Sequence, residues 1–189
     1  MEKNWITLQS IPVGGKTVKL EDQDVWKAFL DELALECAGL EPLKATVEIL
    51  PQVEGVLFRG RVRGKVSLPC DRCADESTVE IDHVFDSFES FPGEVLPGAH
   101  AQADDSLFGD ADEAVIRNAP HGRGIEVNPA ALAWEEFSLA LPVKPLCKND
   151  CKGLCPVCGK NKNLESCACE GERLDPRMAA LHGLTIKKK

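Results

Sequence analysis

The sequence predicts an α+β fold built mainly on an antiparallel sheet, with two or three helices and a cysteine-rich C-terminal region. Residues 44–90 alternate between apolar and polar side chains, which is typical of half-buried strands. Residues 21–38 and 128–141 instead carry apolar side chains at helical spacing. The stretch Cys147–Cys169 then contains six of the nine cysteines. Each of these features predicts one part of the fold.

Composition is that of a soluble globular protein. Hydrophobic residues make up 43% and charged residues 28% of the 189 residues, and both values are ordinary. No apolar run reaches the roughly 18 residues of a membrane span, and no apolar signal segment follows Met1. A cytoplasmic protein without a membrane partner is therefore expected. Because cytoplasmic thiols stay reduced, the clustered cysteines are expected to be metal ligands.

Charge is distributed unevenly along the chain. Residues 144–189 carry ten Lys or Arg against five Asp or Glu, a net charge of +5. Because the whole chain carries −9, residues 1–143 carry −14. We expect an acidic α+β body over 1–143 and a basic, metal-binding region over 144–189 that packs on it. The basic region suits contact with nucleic acid, although a merely solvated surface explains its lysines equally well.

The N-terminal part is predicted to contain two short strands and a helix. Trp5–Leu8 and Thr17–Leu20 are apolar stretches separated by Pro12 and two glycines. Residues 21–38 form the predicted helix, with acidic side chains at its positive end and Gly39 as its C-cap. One buried face of this helix is expected to carry Trp26, Leu30, Leu33 and Cys37. This places one cysteine in the core and not among the metal ligands.

The most informative strand runs from Phe58 to Leu68. Its even positions are apolar or glycine, and four odd positions form a basic stripe of Arg59, Arg61, Arg63 and Lys65. The stripe is about 20 Å long at roughly 3.3 Å per residue. It is either a contact surface, an ordinary exposed strand face, or an edge strand charged against aggregation. The strand leads directly into Cys70-x-x-Cys73, and Glu76–Phe88 is its predicted partner strand.

The second half of the body begins with an acidic segment. Residues 94–113 hold six acidic residues and no Lys or Arg, which predicts a flexible loop. Val115–Arg117 is a candidate short strand. Asn128 as N-cap and Pro129 at the first helical position then begin the helix that leads into the cysteines. A last short helix is predicted over 175–181.

Eight cysteines remain once Cys37 is assigned to the core, enough for two tetrahedral Cys₄ sites. They form the close pairs Cys70/Cys73, Cys147/Cys151, Cys155/Cys158 and Cys167/Cys169. We expect the first two pairs to share one ion and the last two pairs to share another, because the loop between the last two is short. Leu154–Gly159 also has the form of a zinc knuckle. Two Zn²⁺ are expected, although iron uses the same ligands. If one ion binds, the local C-terminal site is expected to hold it.

Sequence patterns of catalysis are missing. No nucleophile elbow, phosphate-binding loop or dinucleotide fingerprint occurs, so neither an enzyme nor a small-molecule substrate is expected. The alternative is a thiol redox protein that uses Cys70 and Cys73, with Arg72 favouring a thiolate. Redox CxxC pairs usually open a helix, whereas a strand pattern follows here. The histidines lie at spacings that do not suggest ligands: His83, His100, His121 and His182.

An ordered set of motifs resembles a known family. The set comprises Leu68-Pro69-Cys70-Asp71-Arg72-Cys73, the helix end Leu139-Ala140-Leu141-Pro142, Cys151-Lys152-Gly153-Leu154-Cys155-Pro156-Val157-Cys158-Gly159, Cys167-Ala168-Cys169 and Asp175-Pro176-Arg177-Met178-Ala179-Ala180-Leu181. Across about residues 45–183, the chain resembles the YceD family, the large ribosomal RNA subunit accumulation proteins. The resemblance implies a cytoplasmic, non-enzymatic ribosome-assembly factor that supports accumulation of large-subunit ribosomal RNA. Family members differ in how many C-terminal cysteines they keep, which implies a supporting role for the metal.

Two kinds of partner fit these expectations. For ribosomal RNA of the large subunit, the expected phosphate contacts are Arg59, Arg61, Arg63, Lys65 and Arg72, with further charge from the C-terminal lysines. Aromatic residues are only 5% of the chain and Tyr is absent, so recognition of the RNA backbone or shape is favoured over base stacking. Alternatively, the acidic body docks a basic ribosomal protein of the large subunit.

Overall fold

The structure, a computed structural model, describes residues 4–32, 37–92, 114–120 and 124–169. The predicted loop at 94–113 and the predicted last helix lie outside these residues. Within them, neither helix has the length and apolar character needed to cross a lipid bilayer.

A four-stranded antiparallel sheet forms the centre of the fold. In spatial order its strands are β2 (Lys16–Leu20), β3 (Ala38–Pro51), β4 (Gly55–Pro69) and β5 (Glu76–Ser90). Short turns join β3 to β4 and β4 to β5, so strands that are neighbours in sequence also pair in space. The alternation of residues 44–90 thus predicted the strands correctly. The antiparallel sheet with two helices confirms the α+β fold class.

A smaller sheet is formed by three short strands. They are β1 (Ile6–Thr7), β6 (Ile116–Asn118) and β7 (Ile125–Val127), with β7 in the middle. The predicted strand Trp5–Leu8 is shorter than expected because the chain turns into a 3₁₀ helix at Leu8–Ser10. This turn places Ile11 in the main core, where it is buried.

The first helix, α1, spans Gln23–Glu32. Asp22 precedes it, and its side-chain oxygen accepts the backbone N–H of Asp24 at 3.0 Å. Such an acceptor satisfies one of the unpaired donors at a helix N-terminus. On the inner face of α1, Trp26 is buried, as the helical spacing predicts.

The prediction that this helix extends to Ala38 and is capped by Gly39 is wrong. Both residues belong to β3, where they pair with Ser67 and Val66 of β4. Pairing with a long neighbouring strand satisfies the backbone hydrogen-bonding groups of this segment, which outweighs its local helical pattern. Cys37 is partly buried and packs against the main core, as predicted.

The second helix, α2, spans Pro129–Ala140 and begins as predicted. The Asn128 side-chain oxygen accepts the backbone N–H groups of Ala130 and Ala131, each at 3.2 Å. Pro129 occupies the first turn, where its missing N–H leaves no hydrogen bond unmade. The N-cap therefore fixes the direction in which α2 leaves β7.

The main core lies between the helices and one face of the large sheet. Phe58 and Val62 of β4 are completely buried there, and Phe137 of α2 is buried against the Trp26 ring at 5.9 Å between ring centroids. On β5, a ring nitrogen of His83 hydrogen-bonds to a carboxylate oxygen of α2 across 2.9 Å. These contacts hold α2 against the sheet and so direct the chain that follows it.

Candidate metal centre

The turn between β4 and β5 presents the first pair of cysteines. The backbone N–H of Cys70 donates to the Asp75 carbonyl at 2.8 Å, and the N–H of Ala74 donates back to the Cys70 carbonyl at 2.9 Å. Ala74 adopts the left-handed conformation with φ of 59°, which closes the turn tightly. Both Cys70 and Cys73 are buried by this arrangement.

The chain leaving α2 brings the second pair to the same place. The N–H of Asp71 donates to the Pro145 carbonyl at 2.8 Å, which anchors this segment to the β4–β5 turn. The guanidinium of Arg72 donates to the Cys151 carbonyl at 2.9 Å. Two hydrogen bonds therefore connect parts of the chain that are more than 70 residues apart in sequence.

Four sulfur atoms meet here in what we call the first cluster: Cys70, Cys73, Cys147 and Cys151. All lie within 4.8 Å of one another. The Sγ atoms of Cys70 and Cys151 are 3.8 Å apart, and those of Cys73 and Cys147 are 3.6 Å apart. Four sulfurs at about 2.3 Å from one tetrahedral ion lie about 3.8 Å from each other. The spacing therefore fits a four-coordinate metal ion.

The second cluster is formed by a short stretch of chain: Cys155, Cys158, Cys167 and Cys169. Its sulfur atoms also lie within 4.8 Å of one another. In the knuckle, the N–H of Gly159 donates to the Cys155 carbonyl at 2.9 Å, and Gly159 has the positive φ of 73° that favours glycine. The structure therefore groups the eight thiols as the sequence analysis predicts.

Backbone N–H groups favour the thiolate form of one cysteine in each cluster. In the first, the N–H of Cys147 is the largest of several effects that lower the pKa of Cys70 to about 6. In the second, the N–H groups of Cys158 and Val157 lower the pKa of Cys155 to about 6. Hydrogen bonds to the charged form lower a pKa in this way, and the thiolate is the form that binds metal.

The donor set decides which chemistry the clusters can support. Four sulfur ligands complete a tetrahedron and leave no coordination position open to water or substrate, so either ion would be structural. Such a set accepts Zn²⁺ and also iron. After Cys70 and Cys73 the chain continues into β5 and not into a helix, unlike the usual redox CxxC pair.

The remaining cysteine lies apart from both clusters. Cys37 is packed against the main core, and burial raises the pKa of its thiol. Its environment is that of a small apolar core residue. Of the histidines, only His83 falls within the described residues, and it is hydrogen-bonded to Glu136.

The predicted basic stripe lies on the exposed face of β4, but acidic side chains face it. Arg59 pairs with Asp86 at 3.1 Å. Arg61 and Arg63 both pair with Asp82, and the Arg63 pair has an N–O distance of 3.2 Å. The fourth member, Lys65, pairs with Glu41. The stripe is therefore part of a mixed charge surface and does not form a purely basic one.

A second group of cations belongs to the stretch of chain that carries six of the eight clustered cysteines. Five lysines of the cysteine-rich region are exposed: Lys144, Lys148, Lys152, Lys160 and Lys162. Lys160 forms an ion pair with Glu165 at 3.0 Å. Arg72 extends from the β4–β5 turn toward the same region through its bond to Cys151. The predicted RNA contact Arg72 thus lies with these lysines, while the stripe lies on the sheet.

Three curated relatives are described only as uncharacterized proteins. One comes from Mycobacterium bovis and two from strains of Mycobacterium tuberculosis, and each is 26% identical to the chain over 152 residues. The alignment covers 80% of this chain and 65% of each relative, so the chain spans about 65% of the length of these relatives. No solved structure matches the chain.

A family model matches residues 58–185, which is more than half of the chain. The matched range contains β4 from Phe58 onward, the β4–β5 turn, α2 and every cysteine of the two clusters. The family is described as "Large ribosomal RNA subunit accumulation protein YceD", a description that names no catalysed reaction. The match confirms the resemblance found in the motifs, and the chain belongs to the YceD family, which is connected by its description with accumulation of large-subunit ribosomal RNA.

Proposed function

We propose that this protein is a non-enzymatic ribosome-assembly factor of the cytoplasm that supports accumulation of large-subunit ribosomal RNA. The family match over residues 58–185 carries this proposal. The two closed Cys₄ clusters support it, because they offer structural sites and no open coordination position for a substrate. In this view Zn²⁺ fills both clusters and holds the cysteine-rich region on the sheet.

The direct partner we favour is the RNA backbone. The cysteine-rich region carries a net charge of +5, and a cluster of exposed lysines attracts phosphates. Lys148, Lys152 and Lys162 form no ion pair with another of the described residues. Arg72 would add a guanidinium beside them. Since phosphate contacts carry no base information, this surface would recognise the backbone or the shape of the RNA.

The basic stripe on β4 is a weaker candidate for the same role. A phosphate that approached Arg61 would compete with the carboxylate of Asp82, and one at Arg59 with Asp86. The free energy of any new contact is reduced by the loss of these ion pairs. We therefore expect Arg59, Arg61, Arg63 and Lys65 to contribute less RNA affinity than the lysines near the clusters.

A filter-binding assay with large-subunit ribosomal RNA tests this assignment. The lysine variant combines Lys148→Ala, Lys152→Ala and Lys162→Ala. Its matched control removes the same number of positive charges from the stripe and combines Arg59→Ala, Arg61→Ala and Arg63→Ala. The lysine variant should bind the RNA about tenfold or more weakly, with a shallower salt dependence. Equal affinity of the lysine variant and the unmodified protein would exclude this surface.

The alternative partner is a basic ribosomal protein bound by the acidic body. An RNA-free ribosomal protein that displaces the chain from large-subunit particles would favour that partner. The proposed cellular role is tested separately by ribosomal RNA quantification in cells that lack the gene. Restored large-subunit RNA on expression of this chain is expected. Unchanged RNA levels in the deletion strain would contradict the role.

A further inference from the structure

One side chain in the loop of the second cluster contacts a sulfur atom of the first cluster. The side-chain amide of Asn163 donates a hydrogen bond to the sulfur of Cys151 across 3.2 Å. Asn163 lies between the two pairs of the second cluster, whereas Cys151 is a member of the first. The contact therefore joins the loop of the second cluster directly to a sulfur atom of the first.

Asn163 is held in this position by a network of hydrogen bonds. Its side-chain oxygen accepts the backbone N–H of Lys152 at 2.9 Å. The Asn161 side-chain oxygen in turn accepts both the backbone N–H and the side-chain amide of Asn163, each at 2.9 Å. With its carbonyl already facing Lys152, the amide group of Asn163 is oriented toward Cys151.

A second contact from the same loop reaches the other side of the first cluster. The Asn161 side-chain amide donates to the carboxylate of Asp75 at 2.6 Å. The same carboxylate oxygen lies 3.5 Å from the sulfur of Cys73. Asn161 and Asn163 thus act on residues from both halves of the first cluster, one on the β4–β5 turn and one after α2.

The backbone brings the loop close enough for these contacts. The N–H of Leu154 donates to the Arg72 carbonyl at 3.0 Å, and the N–H of Lys162 donates to the Gly153 carbonyl at 2.9 Å. Gly153 has a positive φ of 70°, and a Cβ atom there would lie 2.9 Å from the Arg72 carbonyl oxygen. Glycine allows the segment between the clusters to press against the β4–β5 turn.

We propose that the two clusters are thermodynamically coupled metal sites and that Asn163 is the positioning residue which couples them. The inference rests on the proposed binding of a metal ion by both clusters. An ion in the second cluster fixes the loop that carries Asn163, and the amide then stabilises the Cys151 thiolate as a ligand in the first. A hydrogen bond to a metal ligand orients it and disperses its negative charge. Because coupling is reciprocal, an ion in the first cluster also strengthens binding in the second.

Cobalt titration of the full chain, followed by competition with a chelator, measures this coupling. Cobalt replaces zinc in sulfur sites, and its thiolate charge-transfer absorption reports on the ligands themselves. Asn163→Ala should weaken the first-cluster ion roughly 10- to 100-fold, the usual effect of losing a residue that supports a ligand. The band should also shift, which a purely structural change at a distance would not cause. Asn149→Ala, at an exposed residue between Cys147 and Cys151, is the matched control and should change neither.

Two further variants separate coupling from a simple loss of folding. Cys158→Ser with Cys169→Ser removes the second site, and the remaining ion should then bind about tenfold or more weakly than the corresponding ion of the unmodified protein. Adding Asn163→Ala to that variant should have little further effect, as in a double-mutant cycle. Asn163→Asp, which keeps the size but replaces the donor, should weaken the first site at least as much as Asn163→Ala.

The outcomes distinguish this inference from the proposed metal role. Two bound ions whose affinities are unaffected by Asn163→Ala would overturn the coupling and leave the structural metal sites intact. Unchanged affinity of the ion in the Cys158→Ser/Cys169→Ser variant would overturn it as well. A protein that binds no cobalt and no zinc would overturn both.

Discussion

The ring of Phe85 on β5 packs directly over the backbone of Gly60, its cross-strand partner on β4. A Cβ atom at position 60 would overlap the Phe85 ring and lie 2.5 Å from the carbonyl oxygen of Thr46 on β3. The space above this glycine is therefore filled from both neighbouring strands. An aromatic ring packed on a strand glycine also covers backbone that would otherwise be exposed.

Gly60→Ala should destabilise the protein by about 1–3 kcal/mol, the usual cost of overpacking a filled site. The Phe85 ring can move aside, but the Thr46 carbonyl is part of the sheet and cannot. Urea unfolding followed by circular dichroism measures the change. Gly14→Ala is the control, because nothing lies within 4 Å of a Cβ at that position. Equal stability of the two variants would contradict this account of Gly60.

Asn128→Ala should reduce the free energy of unfolding by about 1 kcal/mol, and by up to about 2 kcal/mol in unfavourable cases. The buried side chain accepts two N–H groups at the start of α2, and alanine leaves both unpaired. The measurement is the urea midpoint at constant m-value. Asn118→Ala, at an exposed residue of β6, should remain within about 0.5 kcal/mol of the unmodified protein.

The carboxyl group of Asp82 should titrate well below the ordinary range. Its hydrogen bond from Arg61, helped by Arg63, lowers its pKa from 3.8 to about 2. Stability from this ion pair is present above pH 3.8 and is lost as the pH falls through about 2. Carbon-detected NMR of the side-chain carboxyl gives the value directly. Arg61→Ala should raise the pKa toward 3.8, and an unchanged pKa would show that the pair is absent in solution.

The thiols should fall into two classes in protein purified without added metal. The first class is the eight clustered thiols, which are expected to bind two zinc ions per chain. The second class is the Cys37 thiol, which should react slowly because burial raises its pKa. Chelator with denaturant should then release all nine thiols. The measurements are metal analysis and titration with a chromogenic disulfide. Metal-free protein in which Cys70 and Cys73 cycle between thiol and disulfide would instead favour the redox alternative.

Local pattern was sufficient for much of the fold and for the grouping of the thiols. Strands β3 to β5 follow from their alternation and turn residues, and α2 follows from Asn128 and Pro129. The pairs of cysteines follow from spacing, because close pairs form turns and the loop inside the second cluster is short. For these strands, for α2 and for the second cluster, the signal lies in residues that are near one another in sequence. The first cluster joins Cys70 to Cys151 across 81 residues, and it follows only because its two pairs remain once the second cluster is assigned.

Pairing between strands that are distant in sequence determines two features that the local sequence pattern did not predict: the end of α1 and the ion pairs of the basic stripe. The end of α1 was mispredicted because Gly39 pairs with Val66 of β4, a partner that helical spacing does not reveal. The ion pairs between the basic stripe and acidic side chains of β5 were not predicted, for the same reason. Asp82 and Asp86 face Arg61 and Arg59 only once the register of β5 on β4 is known. A signal was present, since both acids occupy even positions of the predicted partner strand.

Asn163 was missed because its role depends on a hydrogen bond between two clusters. Asparagine in a polar loop is common and usually marks a turn, so its presence alone predicts no more than that. Only the approach of the loop to Cys151 distinguishes it. Spacing rules identify candidate metal ligands, but the residues that would support these ligands come from elsewhere in the fold.

The two clusters differ in when they can form during folding. The second draws its ligands from Cys155–Cys169 and can close as soon as that stretch exists. The first joins Cys70 to Cys151, a separation of 81 residues, and requires the β4–β5 hairpin and the segment after α2 to have met. Closing so long a loop is a late event in folding, because its entropy is lost before its contacts form. If the first cluster binds an ion, only chains that have completed their tertiary structure would hold it, so metal occupancy there would distinguish folded molecules from incompletely folded ones.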